Sequence, residues 1–198
     1  MKIALALAAL LVVAGCGSDG GTTAIDPSGE VPAAPGQVRT RTIVTVMDTG
    51  SPELCLGAVA ESWPPQCSGP PLRGWDWTEH EGQYMKSGTT RWGQFIVIGR
   101  WDGSTFTYED AVVRTILDPI DQPTPSYPPA SVEHTHAELQ DIADEVGRSL
   151  PGAQGAYVDR QHVLVDVVYD DGSLQDQVDE EYGAGVVVVM SALVDTRE

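Results

Sequence analysis

The chain has 198 residues, 41% of them hydrophobic, and carries 29 acidic side chains against 11 basic ones for a formal net charge of −18. That balance tells against nucleic acid as a partner, because affinity for a phosphate backbone comes mostly from Lys and Arg, and against a protein that lies flat on anionic lipid. Nine of the 11 basic residues are Arg, and Ala, Gly, Val, Asp and Pro are abundant, the usage of a high-G+C bacterium.

The chain opens MKIALALAALLVVAG, in which Lys2 precedes an apolar run to Ala14. This predicts a secretory signal segment, too short for a comfortable membrane span. Its end, VAGC (Val13 to Cys16), resembles the lipobox of bacterial lipoproteins: Ala14 and Gly15 are small enough for a narrow protease pocket, and Cys16 supplies a thiol. The resemblance implies diacylglyceryl transfer to Cys16, removal of residues 1–15, and acylation of the new amino terminus by a fatty acid such as palmitate. Two or three acyl chains anchor a protein stably where one does so only marginally. The expected location is therefore the extracytoplasmic face of the cell membrane, by lipid anchor and without a transmembrane helix. Residues 16–36 are rich in Gly, Pro, Ser and Thr and read as a disordered tether, with a coil reach of about 25 Å.

Residues 37–117 read as an all-β module. QVRTRTIVTVMDTG and RWGQFIVIGRW alternate polar and apolar residues, and Asp102-Gly103 turns the chain into STFTYEDAVVRTIL, a hairpin signal. With PLRGWDW as a short extra strand, four or five strands suggest a small barrel or OB-like sheet. On such a strand Trp75 and Trp77 face one side and Asp76 the other.

With Cys16 assigned to lipid, Cys55 and Cys67 are left in an oxidising compartment and are expected to pair. Two thiolates without a convergent histidine pair do not make a zinc site. Closing this loop stabilises the fold by about 3 kcal/mol on the chain-entropy account, and Pro64 and Pro65 stiffen it further. The surrounding stretch, SPELCLGAVAESWPPQCSGPPLRGWDW, resembles a domain of actinobacterial secreted proteins and lipoproteins, uncharacterised in function, in which two cysteines bracket an E-S-x-P-P-Q-C run. Cys55, Glu61, Ser62, Pro64, Pro65, Gln66, Cys67, Gly69 and Pro70 carry the likeness. It implies an extracytoplasmic location and a disulfide, and no reaction.

All five tryptophans, at 63, 75, 77, 92 and 101, fall in this module. Two readings stay open. Trp63, Trp75 and Trp77 beside Glu61, Arg73 and Asp76 make a surface for stacking a wall glycan or docking a peptide, or the rings pack beneath the disulfide as core.

Residues 118–132 carry five prolines and read as a semi-rigid linker. Residues 133–198 then follow the order α-β-β-α-β. THAELQDIADEVGRSL spaces Leu139, Ile142, Ala143, Val146 and Leu150 helically, with Thr135 and Glu138 as a capping box and Pro151-Gly152 as the stop. GAYV and HVLVDVVY flank a turn at DRQ. SLQDQVDEEYG is a second helix with Ser173 as N-cap and Leu174, Val178 and Tyr182 on one face. GVVVVMSALV is apolar on both faces and reads as a central strand. The fold class is thus α+β in two small modules, the second a sandwich with both helices on one face of a three-stranded sheet. Its element order is similar to the BON domain of bacterial envelope proteins, in topology only; that family's glycine motifs and its membrane association do not carry over.

Chemistry-bearing patterns are weak. EHTHAE spaces His134 and His136 by two, which does not put both rings on one helical face beside Glu133 and Glu138. YDDGSLQDQVDEEYG lacks the alternating ligands of a calcium loop and reads as a turn with a solvated helix face. Ser62, Ser126, Ser131 and Ser173 sit in no G-x-S-x-G elbow, and no phosphate-binding glycine loop occurs. The expectation is a lipid-anchored, non-catalytic envelope protein, without cofactor or metal, that serves structure or protein interaction. A receptor for a wall glycan or peptide is the alternative, and an enzyme the third class.

Overall fold

A computed structural model describes residues 29–113 and 126–196. The signal segment, Cys16, most of the tether and linker residues 118–125 lie outside the described residues. No helix among the described residues is long and apolar enough to cross a membrane.

The protein is α+β. In chain order the elements are β1 (Gln37–Thr40), β2 (Val44–Asp48), β3 (Pro52–Cys55), β4 (Leu72–Arg73), a 3-10 turn (Trp77–His80), β5 (Met85–Ser87), β6 (Thr90–Trp101) and β7 (Phe106–Val112). Then come α1 (His136–Ser149), β8 (Ala153–Asp159), β9 (His162–Val167), α2 (Ser173–Tyr182), β10 (Val187–Ser191) and β11 (Leu193–Asp195).

The 12-residue β6 is the spine of the first sheet. Its alternation places Phe95 and Val97 in the core and Trp92 and Gln94 on the other side. The long run beginning at Gln37 follows one edge of β6 as two strands, Gln37 opposite Arg100 and Val44 opposite Phe95, with a break at Arg41 to Ile43. The other edge takes β7 and β5, Phe106 opposite Trp101 and Met85 opposite Trp92.

The ladder shifts register after Ile98, where a Cβ at Gly99 would collide with the Thr107 carbonyl. The sheet therefore curls, mostly antiparallel, until β3 meets the chain entering β4. Leu54 N donates to Pro70 O at 3.0 Å, and β4 runs parallel to β7. Gly69 permits that approach, since a side chain there would strike the Leu54 carbonyl.

The interior holds Trp75, Trp77, Phe95, Trp101 and Phe106 with Val38, Val46 and Leu54. Burial of each ring contributes roughly 2–3 kcal/mol.

The Asp102-Gly103 hairpin forms with a four-residue loop in which Asp102 Oδ1 accepts from the Ser104 and Thr105 amides. Of the strand expected in PLRGWDW only Leu72–Arg73 forms; it stops at Arg73, and Gly74 (φ 84°) turns the chain away before Trp75 and Trp77.

In the second sheet the order is β10-β9-β8. β8 and β9 form a hairpin about Arg160-Gln161, and β10 returns parallel to β9 after α2, a β-α-β crossover. Both helices pack on one face: Leu139, Ile142 and Val146 of α1 and Leu174 and Val178 of α2 share a cluster with Val163, Val165 and Val187.

The Thr135–Glu138 capping box is present. At α2, the expectation for Ser173 is corrected. The cap position is Gly172, and the orphan amides of Ser173 and Leu174 are accepted by Asp171 Oδ1 and Asp170 Oδ1. Aspartates just upstream reach these amides, so the serine hydroxyl is not needed.

The terminal run is also corrected. It is not a central strand but two edge strands, β10 in the second sheet and, after Ala192, β11 antiparallel to β1 in the first. Its apolar character on both faces serves two sheets. Leu193, Val168 and Tyr169 are buried in the first cluster, which ties the two sheets together. Two segments read as tether and linker are also packed. Trp101 Nε1 donates to Pro32 O at 2.9 Å, and Ser131 N donates to Ala184 O at 2.8 Å.

Candidate functional site

The Cys55–Cys67 disulfide forms, closing the loop over the outer face of β2 and β6. Met47, Cys55 and Trp92 are buried beneath it, with Cys67 packed against them. Within the loop, Ala60 N donates to Gln66 O at 2.8 Å and Ser62 Oγ donates to Pro64 O at 2.8 Å. These bonds fold Glu61 to Pro65 into a tip that projects Trp63, which is 70% exposed. Its ring meets Trp92 edge-on at 5.0 Å between centroids.

The five tryptophans thus divide. Trp75, Trp77, Trp92 and Trp101 are buried, and Trp63 alone is exposed. The surface of paired Trp75 and Trp77 rings is replaced by core. The two pack at 5.4 Å, and Trp75 also stacks on buried His80 at 4.1 Å.

Asp48, buried at the end of β2, accepts from Trp77 Nε1 at 2.8 Å, Arg91 at 2.9 Å and Gly50 N at 2.9 Å. The Arg91 guanidinium lies over the Trp77 ring, 5.7 Å from its centroid, an arrangement that favours the cation.

The remaining sequence-predicted residues are dispersed. Glu61 is exposed at the loop tip and Arg73 is exposed at the end of β4. Asp76 caps the 3-10 turn by accepting from Thr78 N at 2.9 Å. That hydrogen bond holds its carboxyl below the usual carboxylate range. Of the six residues singled out for ligand binding, only Trp63 and Glu61 belong to the same surface feature.

Beside Trp92 lies a groove of about 480 Å³ between the disulfide loop and β5. Val59 and Pro65 of the loop, Tyr84 and Met85 before and on β5, Trp92 and Val113 form its apolar lining, with Thr45, Gln83 and Gln94 as polar groups. Eight large hydrophobic residues are exposed among the described residues; Val59, Met85 and Val113 line this groove and Trp63 borders it through Trp92. Three of the eight exposed large apolar side chains therefore line the groove, and a fourth touches its Trp92; a clustering of exposed apolar side chains marks interaction surfaces.

β5, only three residues long, pairs with β6, and among the described residues no strand pairs with its other edge. Sequence reasoning missed this groove because β5 is too short to show a period and Met85 carries no motif. The parity of Trp92 against Phe95 on β6 was the usable signal.

The acidic run near residue 170 is spent on capping, and Glu138, 4.0 Å from His134 Nδ1, is taken up by the capping box. Among the described residues no three His, Cys, Asp or Glu side chains converge as a metal site would require. Chemically the groove offers apolar contact, an open strand edge and a few neutral hydrogen-bonding groups. Comparison of the chain with family models, with curated proteins and with solved structures finds no match in any of the three.

Proposed function

We propose that this chain is a lipid-anchored, non-catalytic protein-interaction module of the bacterial envelope, held at the extracytoplasmic face through Cys16. In this reading the curled sheet is a small OB-like barrel that serves as scaffold, and the groove under the disulfide loop is the working surface. The occupant is an extended, apolar segment of an envelope protein with basic flanks. The observation that carries this is Trp63, 70% exposed on a braced loop and in edge-on contact with the groove residue Trp92.

A tryptophan held out in water by a disulfide-closed loop is costly unless something covers it, and Trp is the residue type most enriched among binding hot spots. The open edge of β5 supports an extended segment, because strand addition satisfies its backbone groups. The charge of −18 supports basic flanks, since complementary charge steers association. A wall glycan is the second reading, favoured by Thr45, Gln83 and Gln94 beside the rings, which could take up sugar hydroxyls.

The test is site-specific photo-crosslinking in intact cells from positions 63 and 85, with exposed Val132 as the control position. One discrete protein adduct from 63 and 85 and none from 132 is the expected result. Adducts to glycan from 63 and 85 would select the second reading, and indiscriminate labelling from all three positions would contradict both. Loss of membrane fractionation on Cys16→Ser tests the anchor separately.

A further inference from the structure

The face of the second sheet turned away from the helices carries a charge where none is needed for folding. Asp166 lies on β9, the central strand, with Met190 and Gly155 as its lateral neighbours. Among the described residues its carboxylate has neither a hydrogen-bond partner nor an ion pair. It lines a cleft of about 500 Å³ between the two sheets, across which stands Arg41 at the break between β1 and β2.

Arg41 donates Nε to Ser191 O and is thereby fixed to the cleft wall, yet it is not ion-paired to any carboxylate among the described residues. Desolvation pushes the Asp166 carboxyl up, and Arg41 is the charge that opposes the shift. Leu56, Ala58, Met190 and Ala192 supply apolar wall between the two charges. Gly155 leaves the cleft open above Asp166, for a Cβ added there would have no atom within 4 Å.

A carboxylate without a partner and a tethered guanidinium, lining one cavity without forming an ion pair, are complementary to a small molecule that carries both charges. We propose that this cleft binds a free aliphatic α-amino acid, its ammonium on Asp166, its carboxylate on Arg41 and its side chain against Leu56 and Met190. Both contacts are charge-assisted, and the one to the half-buried Asp166 forms where water is partly excluded, while Arg41 is exposed at the mouth of the cleft. This cleft and the groove under the disulfide loop share no lining residue.

The test is calorimetric titration of the full chain in detergent with L-alanine and D-alanine, and with acetate and methylammonium as half-ligands. Saturable binding of an alanine enantiomer, with neither half-ligand matching it, is expected. Asp166→Asn should weaken it by about tenfold or more while leaving the melting temperature unchanged or higher, since it removes an unpaired, partly desolvated charge. Gly155→Ile should block binding by extending a side chain into the cleft from a position whose Cβ meets no atom within 4 Å. Absence of saturable alanine binding, or binding unaltered in both variants, overturns the proposal. Photo-adducts at position 63 are a separate readout, so failure here leaves the groove untouched.

Discussion

Trp77 Nε1 donates to Asp48 Oδ2 at 2.8 Å, and the same oxygen accepts from Arg91 at 2.9 Å, so one buried carboxylate fixes an indole, a guanidinium and the turn at Gly50 together. Removing it strands three donors at once. Asp48→Ala should cost about 3 kcal/mol, the scale for breaking a buried, hydrogen-bonded pair, discounted because Arg91 is about one-third exposed. Urea unfolding reads this directly, and a loss below about 1 kcal/mol would show the network to be dispensable.

The disulfide closes a loop with a sequence separation of 12. Cys55→Ala with Cys67→Ala should lower stability by about 3 kcal/mol, with a matched loss on reduction of the native chain. Because the loop also covers Trp92 and Met47, tryptophan fluorescence should shift to the red in the reduced folded state.

Tyr169 is buried where the two sheets meet, and burial, with Asp195, Asp171 and Asp170 facing it, pushes its phenol up to about 12. The neutral phenol is thus favoured in the fold, while an unfolded tyrosine ionises near 10. Stability contributed by this difference is complete below pH of about 10 and is lost as the pH rises toward 12. Tyr169→Phe should flatten that alkaline limb of the stability profile, and an unchanged limb would contradict the assignment.

Leu193 on β11 is fully buried in the first cluster although it follows the second sheet in sequence. Leu193→Ala should cost about 3 kcal/mol. If β11 is the tie between the sheets, the variant should also broaden the thermal transition. A silent substitution would show the tie to be elsewhere.

Much of this architecture is written in local pattern. The α1 capping box, the β8–β9 hairpin and the pairing of Cys55 with Cys67 each rest on a few adjacent residues or on a simple count, and each is found. What escaped depends on contacts distant in sequence. The run ending at Asp195 reads as one strand because nothing local reveals that its two halves join different sheets. Trp75 and Trp77 read as a strand face because the left-handed turn at Gly74 is invisible to an alternating pattern. The groove is assembled from the loop, β5 and β6, so its lining has no signature in any one segment: Pro65 reads as a loop stiffener and Trp92 as one of five tryptophans, and nothing local joins them to Met85.

The central claim is that Trp63 is held out for a partner and not for the fold. The most direct measurement compares Trp63→Ala with Trp92→Ala for melting temperature and for the yield of the photo-adduct from position 85. Loss of Trp63 should cost no more than about 1 kcal/mol, the scale of its edge-on contact with Trp92, whereas loss of the buried Trp92 should cost about 3–5 kcal/mol. Trp63→Ala should melt close to the native chain and lose the adduct by about tenfold or more. A Trp63→Ala chain that melts as early as Trp92→Ala, or that keeps its adduct, would contradict the claim.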